Sequence, residues 1–214
     1  NKLPWRRLDN SAKIFPMSTG EKYSTVFRLS VVLKEEIRPE ILQKAVTQTL
    51  EKYRGFKVKM KTGIFWHYLE ENNKIPIIEE EKDYPCKYIN PKKNKGYLFK
   101  VTYYKTKINI DIFHVLTDGN GGTIFFREII YTYLEMCHTN ELKPENRQIR
   151  KIEEYNTEDS YMKNYNKKAK SNTTLQRAYQ LKGNKIKLGA ISAIHQIINL
   201  EQLKENIKIN SRHY

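Results

Sequence analysis

Ile108-Asn109-Ile110-Asp111-Ile112-Phe113-His114-Val115-Leu116-Thr117-Asp118-Gly119-Asn120-Gly121-Gly122 reads as a short strand that runs into a polar, glycine-rich turn. Side chains alternate faces along a strand, so Ile108, Ile110, Ile112 and His114 share one face, and Asn109, Asp111 and Phe113 share the other. The isoleucine face has the character of a buried one, and His114 is its last residue. Asp118 follows four residues on, with Gly119 beside it. An imidazole at a strand end, with a carboxylate one turn away, can have its ring held while one nitrogen faces a cavity. The same residues also fit a core histidine satisfied by a backbone carbonyl, with Asp118 serving as a turn or cap residue.

Outward from this stretch, residues 97–104 alternate well and Lys105-Thr106-Lys107 turn the chain back into it, giving an antiparallel hairpin that delivers His114. Downstream, 123–137 is a strongly apolar helix whose first amides lie beside Asp118. Those amides favour an anion, or are capped by Asp118 or Asn120. Upstream, 23–33 is rich in β-branched and aromatic residues and reads as a strand. Pro39 then suits the first turn of a helix over 38–53, striped by Ile41, Leu42, Ala45, Val46, Thr49 and Leu50. A hairpin over 56–61 and 64–71 turns at Thr62-Gly63. Residues 70–95 are a polar excursion punctuated by proline, and 3–17 is a loop whose Trp5 and Phe15 plug onto the core.

Residues 140–184 are polar and aperiodic, which predicts a linker or crossover. A strand over 185–194 and a helix over 200–207, with Asn199 as cap, repeat the strand-then-helix order of the opening. The expected organisation is therefore a first lobe over 1–139, a crossover over 140–184, and the start of a truncated second lobe over 185–214.

Lys and Arg number 39 against 24 Asp and Glu, a formal charge of +15, which attracts polyanions in general. The lysines are spread as pairs such as Lys92-Lys93 and Lys167-Lys168, with no finger or arginine-rich pattern, so nucleic acid is not the expected partner. Cys86 and Cys137 stand without paired spacing, and the five histidines form no metal-ligand cluster, so no metal is expected. No apolar run reaches the length of a membrane span and the start shows no leader pattern. A reduced, cytoplasmic protein is the expectation.

His114-Val115-Leu116-Thr117-Asp118-Gly119 resembles the His-x-x-x-Asp-Gly motif of the chloramphenicol-acetyltransferase-like superfamily, which includes condensation domains and alcohol acetyltransferases. The strand and helix order around the motif is similar too. The likeness to the alcohol acetyltransferase branch runs from Trp5-Arg6-Arg7-Leu8-Asp9 to the repeat near Ile186. The resemblance implies an α+β fold, a mostly antiparallel sheet flanked by helices, with two such lobes around a channel. It implies acyl transfer from acyl-CoA, a co-substrate rather than a bound cofactor, to a small alcohol or amine acceptor. His114 would be the general base, Asp118 a structural acid held by a basic side chain, and Gly119 the residue that gives the turn room.

Three positions depart from the family pattern. Phe113 stands where many relatives have a second histidine. Lys57 corresponds to the arginine that usually pairs with the motif aspartate, and an ammonium does not give the same bidentate fork. The resemblance implies that the second lobe stops before its Asp-Phe-Gly-Trp-Gly-like motif, with one wall of the channel then expected to be missing. Beside the acyltransferase reading stand three alternatives: a non-catalytic binding module of the same fold that buries its unfinished face against a second copy or another chain, a condensation-domain-like protein forming amides or esters, and a basic nucleic-acid binder.

Overall fold

The isoleucines of 108–112 are met by apolar residues on both neighbouring strands, and that pairing builds the larger of two sheets. The computed structural model describes residues 5–8, 12–21, 23–63 and 66–138, together with Gly183 and Glu201. The strands are β1 (Trp5–Arg7), β2 (Val26–Val32), β3 (Val58–Thr62), β4 (His67–Glu71), β5 (Ile78–Glu80), β6 (Phe99–Tyr104) and β7 (Lys107–Phe113). The helices are α1 (Phe15–Ser18), α2 (Pro39–Lys52) and α3 (Gly119–Cys137). One sheet has the order β2-β7-β6-β5, antiparallel except where β5 runs parallel to β6; the other is antiparallel, in the order β1-β4-β3. All of these elements lie in the first of the two compact units into which the chain divides, residues 1–171.

Register explains the core. Ile112, Ile110 and Ile108 sit opposite Phe27, Leu29 and Val31 of β2 on one side and Phe99, Val101 and Tyr103 of β6 on the other. The three isoleucines are fully buried, each worth about 2 kcal/mol in apolar area removed from water. Helix α3 closes this face: the Phe125 ring meets Phe99 edge-on at 5.4 Å and stacks on Phe56 at 3.9 Å. Helix α2 lies against α3, with Thr49 Oγ1 donating to Thr132 Oγ1 at 3.3 Å. Its buried residues Leu42, Ala45, Val46, Thr49 and Leu50 fall at helical spacing, and Pro39 opens its first turn.

The opposite face of β7 is buried as well. Asn109 and Asp111 are 0% and 5% exposed. Burial of such groups requires partners. The Arg28 Nε donates to Asp111 Oδ1 at 2.8 Å and Nη2 to Oδ2 at 2.6 Å, a bidentate fork across the β2–β7 pair. Arg28 Nη1 also donates to Glu81, whose second oxygen accepts from Asn109 Nδ2 at 3.1 Å and lies 3.3 Å from Lys107 Nζ.

Four other expectations change. The opening segment contains β1, a 3₁₀ turn over Ala12–Ile14 and α1, where a loop was expected. The polar excursion contains β5. Both strands are three residues long and draw their hydrogen bonds from distant partners, so neither leaves a local period. The strands of the first hairpin end at Thr62 and resume at His67, with Gly63 N–H donating to Trp66 O at 2.7 Å, in place of a turn at Thr62-Gly63. Helix α3 begins at Gly119, ahead of the expected 123, because Asp118 caps it. Apart from Gly183 and Glu201, the expected crossover and second lobe lie outside the described residues.

Candidate active site

Strand β7 ends at Phe113, and His114 opens the turn over 114–116. Its backbone N–H still donates to Thr25 O at 2.9 Å, one further rung between the β2 and β7 segments, so the position of its Cα is set by the sheet. The ring is partly exposed and is held by aromatic contacts. Phe15, from α1, stacks on it with centroids 4.8 Å apart and planes 14° from parallel. Phe27, from β2, meets it at 5.2 Å and 59°. The Thr25 hydroxyl is buried without a hydrogen-bond partner among the described residues.

Asp118 does a different job from steadying the ring. It is the N-cap of α3, with extended backbone, and its Oδ1 accepts from Gly121 N–H at 2.8 Å. The first helical bond, Gly122 N–H to Asp118 O at 3.0 Å, and the Thr123 Oγ1 bond to Gly119 O at 2.7 Å complete the turn. Of the two roles the sequence left open for Asp118, the cap is the one seen.

Lys57 and Asp118 are not brought together as an ion pair. Lys57 Nζ sits 2.6 Å from Glu51 Oε1, on the last turn of α2. Lys57 follows that helix by only a few residues, so the nearest acid along the chain takes its ammonium. Gly119 also differs from its expected role: a Cβ there would meet nothing within 4 Å. Two later glycines are crowded: a Cβ at Gly121 would run into the Thr117 hydroxyl, and one at Gly122 would lie 2.9 Å from Ile112 Cδ1 and 3.0 Å from Phe27 Cζ. Gly122 lets the first turn of α3 settle on the same Phe27 that touches His114.

Sequence reasoning missed Phe15 and Phe27 as the ring's neighbours. Phe27 had a usable signal, since a strand pairing with β7 places it opposite Ile112, two residues from His114. Phe15 had none, because it comes from an aperiodic segment. Elsewhere, burial pushes the Cys86 thiol up, and Asp111 adds to the effect, which keeps it protonated and a poor nucleophile at neutral pH. Among the described residues no group of three or more His, Cys, Asp or Glu side chains could hold a metal ion, and no helix is long and apolar enough to cross a membrane.

No family model matches the chain, and no curated protein matches it in sequence. Solved structures do match. The starter condensation domain of rhizomide synthetase RzmA superposes with a TM-score of 0.52 at 12% identity, over 63% of this chain and 38% of that one. A variant of that domain in complex with C8-CoA gives 0.51 at 12% identity, over 63% and 36%. A second variant with C8-CoA gives 0.51 at 11% identity, again over 63% and 36%. The chain thus spans well under half the length of these domains. At such identities the likeness speaks for the fold alone, which is an α+β one shared with these condensation domains.

Proposed function

We propose that the chain is part of an acyltransferase that moves an acyl group from acyl-CoA to a small alcohol or amine, in the manner of the alcohol acetyltransferases, with His114 as general base. The observation that carries this reading is the state of the His114 ring. It stands at the end of a central strand, partly open to solvent, with its plane fixed between Phe15 and Phe27 rather than sealed in the core. The motif Asp118-Gly119 follows at the start of α3, and the fold is shared with a condensation domain of which two variants were solved with C8-CoA.

In this mechanism an unprotonated imidazole nitrogen takes the proton from the acceptor hydroxyl or amine as its oxygen or nitrogen attacks the thioester carbonyl. The tetrahedral adduct collapses with loss of the coenzyme thiolate, which takes the proton back from the imidazolium. General-base catalysis of this type contributes roughly 100- to 10,000-fold. Asp118 acts on this chemistry through the helix it caps, so it is a positioning residue.

A second reading rests on a separate observation: the match covers 38% of the RzmA domain. A lobe of this size can be a binding module that buries an open face against a second copy or another chain. The experiment that separates the two is incubation of the protein with acetyl-CoA and a panel of small alcohols and amines, with products read by mass spectrometry. Ester or amide formation supports the acyltransferase. Absence of any product, together with a stable dimer by light scattering, supports the module.

A further inference from the structure

The residue across the sheet from His114 is Thr25. The register of β2 on β7 pairs Val26 with Phe113, and the next rung is the bond from His114 N–H to Thr25 O at 2.9 Å. Residues opposed in this way put their side chains on one face of the pair, with Cβ atoms about 4.5–5.5 Å apart. The 5.2 Å contact between the His114 ring and Phe27, two residues along from Thr25 and so on its face, agrees with that placement. Two unmet needs therefore lie side by side. The Thr25 hydroxyl is buried with no hydrogen-bond partner among the described residues, which is costly for a group that can both donate and accept. Neither nitrogen of the His114 ring has a partner among them either. The other candidates nearby are engaged: Asp118 Oδ1 accepts from Gly121 N–H, and the Thr19 hydroxyl accepts from Thr25 N–H at 3.2 Å and donates to Tyr23 O at 3.3 Å.

We infer that Thr25 is the positioning residue of the His114 imidazole, its Oγ1 accepting from Nδ1–H. A neutral imidazole carries a proton on one nitrogen and a lone pair on the other, and a hydrogen bond to the first settles which is which. The contacts with Phe15 and Phe27 fix the plane of the ring but not that choice. A half-turn about Cβ–Cγ leaves the plane where it is and exchanges the edge bearing Nδ1 for the opposite, carbon edge, so stacking and the hydrogen bond are compatible. What the bond does for the reaction rests on the acyltransferase reading above. With Nδ1 protonated, the lone pair is on Nε2, the nitrogen farther from the backbone, and Nε2 takes the proton of the acceptor.

The test is the tautomer of His114, read from the ring-nitrogen NMR shifts of the isotope-labelled 214-residue chain in mildly alkaline buffer and assigned by their loss in His114→Ala. The parent is expected to hold its proton on Nδ1. Thr25→Val keeps the β-branched shape without the hydroxyl and should shift the tautomer ratio toward Nε2–H by about fivefold. Thr25→Ser should keep the parent ratio. Should Thr25→Val not fold, Thr25→Ala takes its place with the same expectation. Three outcomes overturn the inference: the parent holds its proton on Nε2, a folded variant lacking the hydroxyl keeps the parent ratio, or Thr25→Ser shifts as Thr25→Val does. No turnover is needed, so the hydrogen bond and the reaction can fail separately. A ratio that follows Thr25 in a chain forming no ester or amide supports the bond and overturns only its catalytic use. Where product forms, Thr25→Val should lower kcat by about fivefold with KM for acyl-CoA unchanged; an unchanged kcat beside a shifted ratio overturns that use as well.

Discussion

The imidazole of His114 lies face to face with the phenyl ring of Phe15, 4.8 Å between centroids and 14° from parallel. A residue from the amino-terminal segment thereby fixes the ring that the motif presents from the far end of β7. Phe15→Leu keeps apolar volume and removes the flat face. An aromatic pair of this kind is worth roughly 1 kcal/mol, so urea unfolding should show a small loss. A ring free to rotate out of alignment should lower kcat by roughly ten- to a hundredfold, with little change in KM for acyl-CoA. A fall in stability with kcat intact would make Phe15 a packing residue only.

Gly122 and Gly119 should separate in opposite directions. Gly122→Ala pushes a methyl into Ile112 and Phe27 at 2.9 and 3.0 Å, and overpacking of this sort costs about 1–3 kcal/mol. Gly119→Ala meets open space and gains helix propensity, worth up to about 1 kcal/mol. Thermal melts of the two variants check the pair; equal effects would contradict the packing described.

Asp118 acts as a cap. Asp118→Asn preserves an oxygen acceptor for Gly121 N–H and should fold as the parent does, whereas Asp118→Ala should lose about 1 kcal/mol. If Asn proved as damaging as Ala, the charge rather than the hydrogen bond would be the part that matters.

The Arg28 cluster sets an acid limit on stability. Burial pushes the Glu81 carboxyl up, but Arg28 and then Lys107 more than reverse this, so it is held below its ordinary value of 4.5. A carboxylate depressed in the folded state contributes stability that is whole above the unfolded value and is lost as pH falls through the lower folded one. Glu81→Gln should therefore flatten the decline of stability below about pH 4.5 and leave its pH dependence near neutrality unchanged. Arg28→Ala, which leaves the 5% exposed Asp111 without its fork, should cost about 3 kcal/mol at neutral pH.

Much of this architecture is legible in the chain because it is local. The helix expected over 38–53 is α2 at Pro39–Lys52, and the hairpin expected over 97–104 and 108–114 is β6 and β7. Proline at a first turn and period-2 alternation act within a few residues, so they can be read without the fold. What escaped the sequence depends on distant partners. Strand β5 exists because β6 offers it a parallel edge, and Asn109 and Asp111 are buried because Arg28 and Glu81 reach them. The candidate site divides in the same way: the placement of His114 at a strand end follows from alternation, while Phe15 beside it and Glu51 as the partner of Lys57 are set by tertiary packing.

The most direct test of the central claim is thiol release from acyl-CoA in the presence of an accepted alcohol or amine, compared between the parent and His114→Ala. With His114 as the general base, the variant should lose roughly 100- to 10,000-fold in rate while keeping its circular dichroism and melting temperature. Thiol release at the parent rate by a folded His114→Ala protein would contradict the account.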